Sequence, residues 1–241
     1  MILRKFHRYF FLALALFCMT AAFPHIIRAQ EFEGEISLQM SAPMLGDKKI
    51  DIVYSIKGTK VLQTADDPQQ GKIDVYTDTK AGTQIIVQVA QKKGMLIDQA
   101  MIDSEMKSMK MPVLIPKATG KKEKVAGYDC EIYTMAIDSS SEMDLWITKD
   151  LSKATADGIK NCTEAGMKSS GISSDALKDL FNKGYAQVRM EVKQNGVTQF
   201  TNQFVKAEQK KLSDALFVIP SDVTVTKFDP NNPPGSGAGG Q

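Results

Sequence analysis

Most of this chain alternates apolar and polar residues with a period of two. In "KIDIVYSI" Ile50, Ile52, Tyr54 and Ile56 share a face, and in "TQIIVQVAQ" Ile85, Val87 and Val89 lie opposite Gln84, Ile86, Gln88 and Ala90. "VRMEVK" sets Val188, Met190 and Val192 against Arg189, Glu191 and Lys193, the pattern of a half-buried strand. The same reading predicts strands over 31–40, 60–65, 72–78, 95–101, 129–137, 142–148, 197–207 and 223–228. The separators "PMLGDK", "DDPQQG", "KAG", "KKG", "DSSS" and "QNG" are turn-like, and Asn195-Gly196 suits a type I′ hairpin turn. Roughly ten strands joined by short turns imply a largely antiparallel meander.

Residues 151–184 break this rhythm. "SSDALKDLFNKG" reads as a helix with Ser174 as cap, Ala176, Leu177, Leu180 and Phe181 as its apolar stripe and Gly184 as its stop. "KATADGIKNCTEAGMK" before it is a weaker helix carrying Ile159, Cys162 and Met167. A large antiparallel sheet with a helical insertion between two late hairpins is α+β architecture. A sheet of this length must curl or close, and a curled sheet under helices encloses either a filled core or a ligand cavity.

The ends change the composition. Arg4, Lys5 and Arg8 precede the apolar run "YFFLALALFCMTAAF", which is shorter than the roughly 20 residues of a membrane-spanning helix. This is the pattern of a secretory signal peptide, with cleavage expected after Ala29 and Ala22 as the alternative. Lipidation at Cys18 is disfavoured by bulky Phe17 just before it. The expected organisation is therefore a signal peptide over 1–29, a single domain over 30–230 and a disordered tail over 231–241, where "NNPPGSGAGGQ" cannot bury apolar surface. Exported, and most simply periplasmic, is the expected location, with outer-membrane association open and no transmembrane anchor in the mature chain.

Removing residues 1–29 discards four basic residues (Arg4, Lys5, Arg8, Arg28) and no acidic one, so the net charge moves from +2 to about −2. Arg189 is then the only arginine, which argues against a nucleic-acid partner. His7 and His25 are lost as well. A chain without histidine excludes Ser-His-Asp and Cys-His catalysis and histidine-ligated zinc, so no enzyme activity, metal or cofactor is expected. Cys130 and Cys162 remain. An even count in an exported chain favours a disulfide, and two buried free thiols are the alternative. Their spacing matches no CxxC redox motif. "NCT" at 161–163 fits an N-glycosylation pattern that means little in a bacterial chain, and no acidic loop resembles an EF-hand.

"VAGYDCEIYTM", "SSEMDLWITKDL" and "AEQKKLSDALFVIPSDV" resemble a family of exported Gram-negative proteins known as a domain of unknown function. That family is grouped with the outer-membrane lipoprotein-carrier-like folds (LolA, LolB and LppX types). The resemblance rests on Gly127, Tyr128 and Cys130; on Asp144, Trp146, Thr148 and Asp150; and on Leu212, Leu216, Phe217 and Pro220. It implies a curled, half-open antiparallel β-barrel with helices over its concave face, a surface that holds lipid chains in the carriers. The carriers' lid arginine is not carried over, because Arg189 is expected on an ordinary exposed strand face.

Three features are candidates for ligand contact. Met101, Met106, Met109 and Met111, with Met95 upstream, crowd "MIDSEMKSMKMPVLIP". Thioethers suit copper(I), but Lys107 and Lys110 between them repel a cation. Plain core packing and a pliable apolar lining both suit unbranched, polarizable methionine. Trp146 points opposite to Met143, Leu145 and Ile147 and is either core or a ligand platform. Phe200 and Phe204 flank Asn202 on one strand face with the same two readings. The lysine-rich "KATGKKEKVAG" reads as a solvated hairpin loop, with contact to anionic headgroups as its other use. Together these predict a non-enzymatic protein binding an apolar molecule, a lipid or acyl chain, in the concave space. The alternative is an envelope scaffold or protein-interaction module with a filled core.

Overall fold

The computed structural model describes residues 32–46, 48–68, 71–98, 114–169 and 175–228. Twelve strands form one open sheet: β1 (Gly34–Ser41), β2 (Lys49–Lys57), β3 (Lys60–Asp67), β4 (Gly71–Asp78), β5 (Thr83–Gln88), β6 (Lys93–Asp98), β7 (Lys117–Val125), β8 (Tyr128–Ala136), β9 (Ser141–Thr148), β10 (Ala186–Gln194), β11 (Val197–Gln209) and β12 (Thr224–Lys227). Two helices, α1 (Lys153–Ser169) and α2 (Asp175–Asn182), lie between β9 and β10. The spatial order is β12-β6-β5-β4-β3-β2-β1-β11-β10-β9-β8-β7. Two antiparallel meanders, β1–β6 and β7–β11, are thus joined along β1 and β11, and only β12 runs parallel to its neighbour, β6.

The period-two pattern decides which side chains meet. In β1 every second residue is buried. Register then aligns Ile36, Tyr54, Gln63, Val75 and Ile86 across five strands, with Leu38, Ile52, Ala65 and Ile73 in the next row. These rows join α1 in the main core, where Ile159 and Cys162 pack with Phe32, Ile36, Tyr54 and Phe204. The helix approaches closely because residue 158 is glycine: a Cβ there would lie 3.1 Å from both Ile36 Cδ1 and Phe32 Cγ. A second core forms under α2, whose Leu177 and Phe181 pack with Leu114, Met135, Leu145 and Ile147. The helices are tied together by Lys160 Nζ donating to Asn182 Oδ1 at 2.7 Å.

The turns follow the local chemistry. Asn195 and Gly196 have φ of 50° and 76°, as a type I′ turn requires, and Gly184 ends α2 at φ 85°. The strand count exceeds the expected ten partly because "KATGKKEKV", expected as a loop, is the edge strand β7. A lysine-rich stretch exposed on both faces carries no alternation, so its strand character comes from pairing with β8. The expected Ser174 cap, the methionines at 101–111 and the 231–241 tail lie outside the described residues.

Candidate functional site

The resemblance pointed to the face of the sheet beneath the helices. There the structure brings α1 against β1, β2, β10 and β11 over a small cavity lined by Ile36, Leu38, Cys162, Val188, Asn202 and Phe204 among others. Its volume is about 20 Å3. That is room for about one water molecule and far below the several hundred Å3 of a small-molecule pocket. The wall is mostly apolar, yet Asn202 is 3% exposed and neither Oδ1 nor Nδ2 of its amide has a hydrogen-bond partner among the described residues.

Phe204 is buried here, edge-on to Tyr128 with ring centroids 6.0 Å apart. Phe200 is half-buried against the same core. The two phenylalanines therefore flank Asn202 as expected and take the packing reading of the two. Met101, Met106, Met109 and Met111 lie outside the described residues.

Trp146 takes the core reading, with polar partners around its ring. Strand β9 is buried on both faces: Leu145 and Ile147 enter the core under α2, while Trp146 joins the main core. Its indole Nε1 donates to Glu123 Oε2 at 2.8 Å, and the Arg189 guanidinium carbon stacks 4.6 Å from the ring centroid, a cation–π contact. Arg189 also lies 3.5 Å from Glu123 Oε1 and bonds Glu191 on its own strand. The exposed Arg189 expected from alternation is thus a half-buried hub. A register shift between Gln187 and Arg189 places it opposite Trp146. Its side chain is 25% exposed, and its Nε is buried without a partner. Farther along β10, Lys193 bonds Asp144, which raises the lysine's pKa above its ordinary value, and sits 3.9 Å from Glu142.

The expected Cys130–Cys162 disulfide is not formed, and both residues are buried free thiols. Each serves as a small apolar residue of the main core, Cys130 on β8 and Cys162 on α1, and Cys130 Sγ turns to the Tyr128 carbonyl at 3.3 Å. Burial raises both thiol pKa values, that of Cys162 to about 12.

Among the described residues no group of three or more His, Cys, Asp or Glu side chains is placed to hold a metal ion. No described helix is long and apolar enough to cross a membrane. The fold and its interior define an α+β protein built on one open, largely antiparallel sheet whose helices close over a packed core. The chain belongs to the family described as Domain of unknown function (DUF4412), whose model matches residues 32–223. The family resemblance drawn from the glycine-tyrosine-cysteine strand, the tryptophan strand and the closing Phe217–Pro220 segment falls within that span.

Solved structures with a similar arrangement include the MucA/MucB complex of Pseudomonas aeruginosa, at 10% identity and a TM-score of 0.42, covering 80% of this chain and 57% of that one. MucB alone is similar at 10% identity and a TM-score of 0.39, over 87% of this chain and 62% of that chain. A LolA superfamily protein, NE2245 from Nitrosomonas europaea, is similar at 8% identity and a TM-score of 0.30, over 80% and 91%. This chain therefore spans little more than half the length of the chain it matches in that complex. No curated protein matches it in sequence.

Proposed function

We propose that the protein is a non-enzymatic, exported envelope module that works by binding a protein partner at its surface. The observation that carries this reading is the small cavity under α1 among the described residues, about 20 Å3, room for a water but not for an acyl chain. Two sequence features agree. The chain starts like a secretory precursor, and residues 30–241 contain no histidine to serve acid–base chemistry.

An apolar ligand within the sheet's inner face is the competing reading. The cavity's largely apolar wall and the unpartnered Asn202 amide favour it. It requires α1 to lift from Phe32 and Ile36, which Gly158 holds in close contact. Native mass spectrometry of the protein purified from the periplasm without detergent separates the two. The module reading expects the mass of the bare chain with both thiols reduced. A stoichiometric adduct that solvent extraction removes and identifies as lipid overturns it in favour of a carrier.

A further inference from the structure

Resting on the module reading, we propose that the edge of β7, unpaired among the described residues, docks an acidic, extended segment of a partner protein as an added strand. The sheet has two ends, and they differ in charge. At the β12 end two of three cations are neutralised: Lys92 pairs with Asp222 at 2.9 Å and Lys227 with Asp98 at 2.8 Å, leaving Lys93 without a carboxylate partner among the described residues. At the β7 end Lys117–Lys124 are all exposed, and Lys117, Lys121 and Lys122 have no carboxylate partner among the described residues. Lys124 has only Asp129, at 3.9 Å. The one acid of the strand, Glu123, is turned away into the Trp146 and Arg189 network, so it does not offset its neighbours.

Over residues 122–125 the backbone is arranged to accept a short strand; the register shift between Ala118 and Lys122, with Gly120 at φ 74°, bounds that stretch. Ala126 and Gly127, with φ of 51° and 88°, form a two-residue turn between Val125 and Tyr128. In such a hairpin the residues flanking the turn exchange ladder bonds, and the next pair does not. Lys124, opposite Asp129, and Lys122, opposite Glu131, are therefore non-bonded positions. Their N–H and C=O groups point to the free edge. Lysines on an edge repel a second copy of the same edge, which would set lysine against lysine, and select an acidic partner by charge.

The test titrates the intact protein with an extended peptide of about nine residues alternating glutamate and valine, beside its lysine counterpart. Backbone amide exchange is read by nuclear magnetic resonance. The acidic peptide is expected to slow exchange at Lys122 and Lys124 about tenfold or more, and to lose affinity as salt rises from about 50 mM to about 500 mM. The lysine peptide is expected to do neither. Lys122→Pro removes an outward N–H and is expected to abolish the protection. Lys121→Glu with Lys122→Glu is expected to weaken binding about tenfold or more. Unchanged Trp146 emission in the unliganded variants shows that they keep their fold.

Absence of amide protection overturns the proposal. So do side-chain shifts without protection, which indicate loose counter-ion binding, and binding to anionic phospholipid vesicles but not to the peptide, which assigns the lysines to a membrane surface. A lipid adduct in native mass spectrometry defeats the module reading without touching these amides, so the two failures are distinguishable.

Discussion

Replacing Asn202 with leucine tests whether the interior is as closed as its geometry implies. The residue is 3% exposed, and both polar atoms of its amide lack partners. Leaving a buried polar group unsatisfied costs about 1–3 kcal/mol. Leucine removes both groups and adds apolar contact with Leu38 and Phe204, which share the cavity wall. Its extra bulk acts in the opposite direction, since overpacking costs about 1–3 kcal/mol, but the adjoining cavity of about 20 Å3 takes up part of it. The expected net result is a gain of about 1–3 kcal/mol, or about 2–4 °C in Tm for each kcal/mol in a protein of this size. Urea unfolding followed by emission of the single tryptophan, Trp146, measures it directly. Asn202→Ala, which leaves the space unfilled, is expected to gain less. A loss of about 1 kcal/mol or more in the leucine variant, with an unchanged denaturant slope, would refute the reasoning. It would show that the amide is engaged in the folded protein, and the carrier reading would gain.

Other perturbations probe separate parts of the molecule. Arg189→Ala strands the Glu191 side chain, 10% exposed, without its partner and is expected to destabilise by about 2–4 kcal/mol. Pairing Arg189→Met with Glu191→Gln should recover at least half of that loss in the same urea assay. Gly34→Ala places a Cβ 2.1 Å from the Glu208 carbonyl oxygen at a φ of 153°. It is expected to cost about 2–4 kcal/mol, read as a lowered urea midpoint, and unchanged stability would show that the β1–β11 contact is loose there. The Cys162 thiol is protonated in the fold up to about pH 12, whereas an unfolded thiol ionises near 9.0. Between these values the unfolded chain binds fewer protons, so stability falls as pH rises, by at most about 1.4 kcal/mol per pH unit from this group. Urea midpoints from pH 7 to 11 should show a shallower alkaline decline in Cys162→Ala than in the parent, and identical slopes would contradict the burial of the thiol.

The strands of the first meander were legible because apolar residues recur at every second position, most cleanly on β1 and the first half of β2. Ile52, Tyr54 and Ile56 sit on the core face their spacing predicts, whereas on β5 it is Ile86, grouped by spacing with Gln84 and Gln88, that aligns with Val75 and packs against the main core. The Asn195-Gly196 turn and the α2 stop at Gly184 were readable because both need positive φ. Strand β7 was not, since an edge strand exposed on both faces buries only Val125 and leaves no alternation. Its signal lay instead in the next residues, where Ala126-Gly127 between Val125 and Tyr128 is a hairpin turn. The site was less legible than the fold. Alternation placed Trp146 opposite Leu145 correctly but could not reveal that both faces of β9 are covered. Nor could it show that a register shift turns Arg189 onto the indole. An even number of cysteines suggested a bond, whereas the interior uses Cys130 and Cys162 as small apolar residues, a choice that composition does not encode.

The seam between β1 and β11 has a consequence for how the chain comes to be folded. Gly34 pairs with Gln209 and Ser41 with Thr201, so the first strand finds its second neighbour only near the end of the described chain. As the polypeptide emerges from its N-terminus, β1–β6 can zip together by local hairpins, but one side of β1 stays unpaired until β11 has been delivered. Loop closure over such a separation is slow, and the waiting half-sheet presents a long apolar-faced edge to other chains. Assembly of this protein is therefore a race between the arrival of its own β11 and capture of that edge by another chain, and holding factors that shield β1 during this interval should raise its yield.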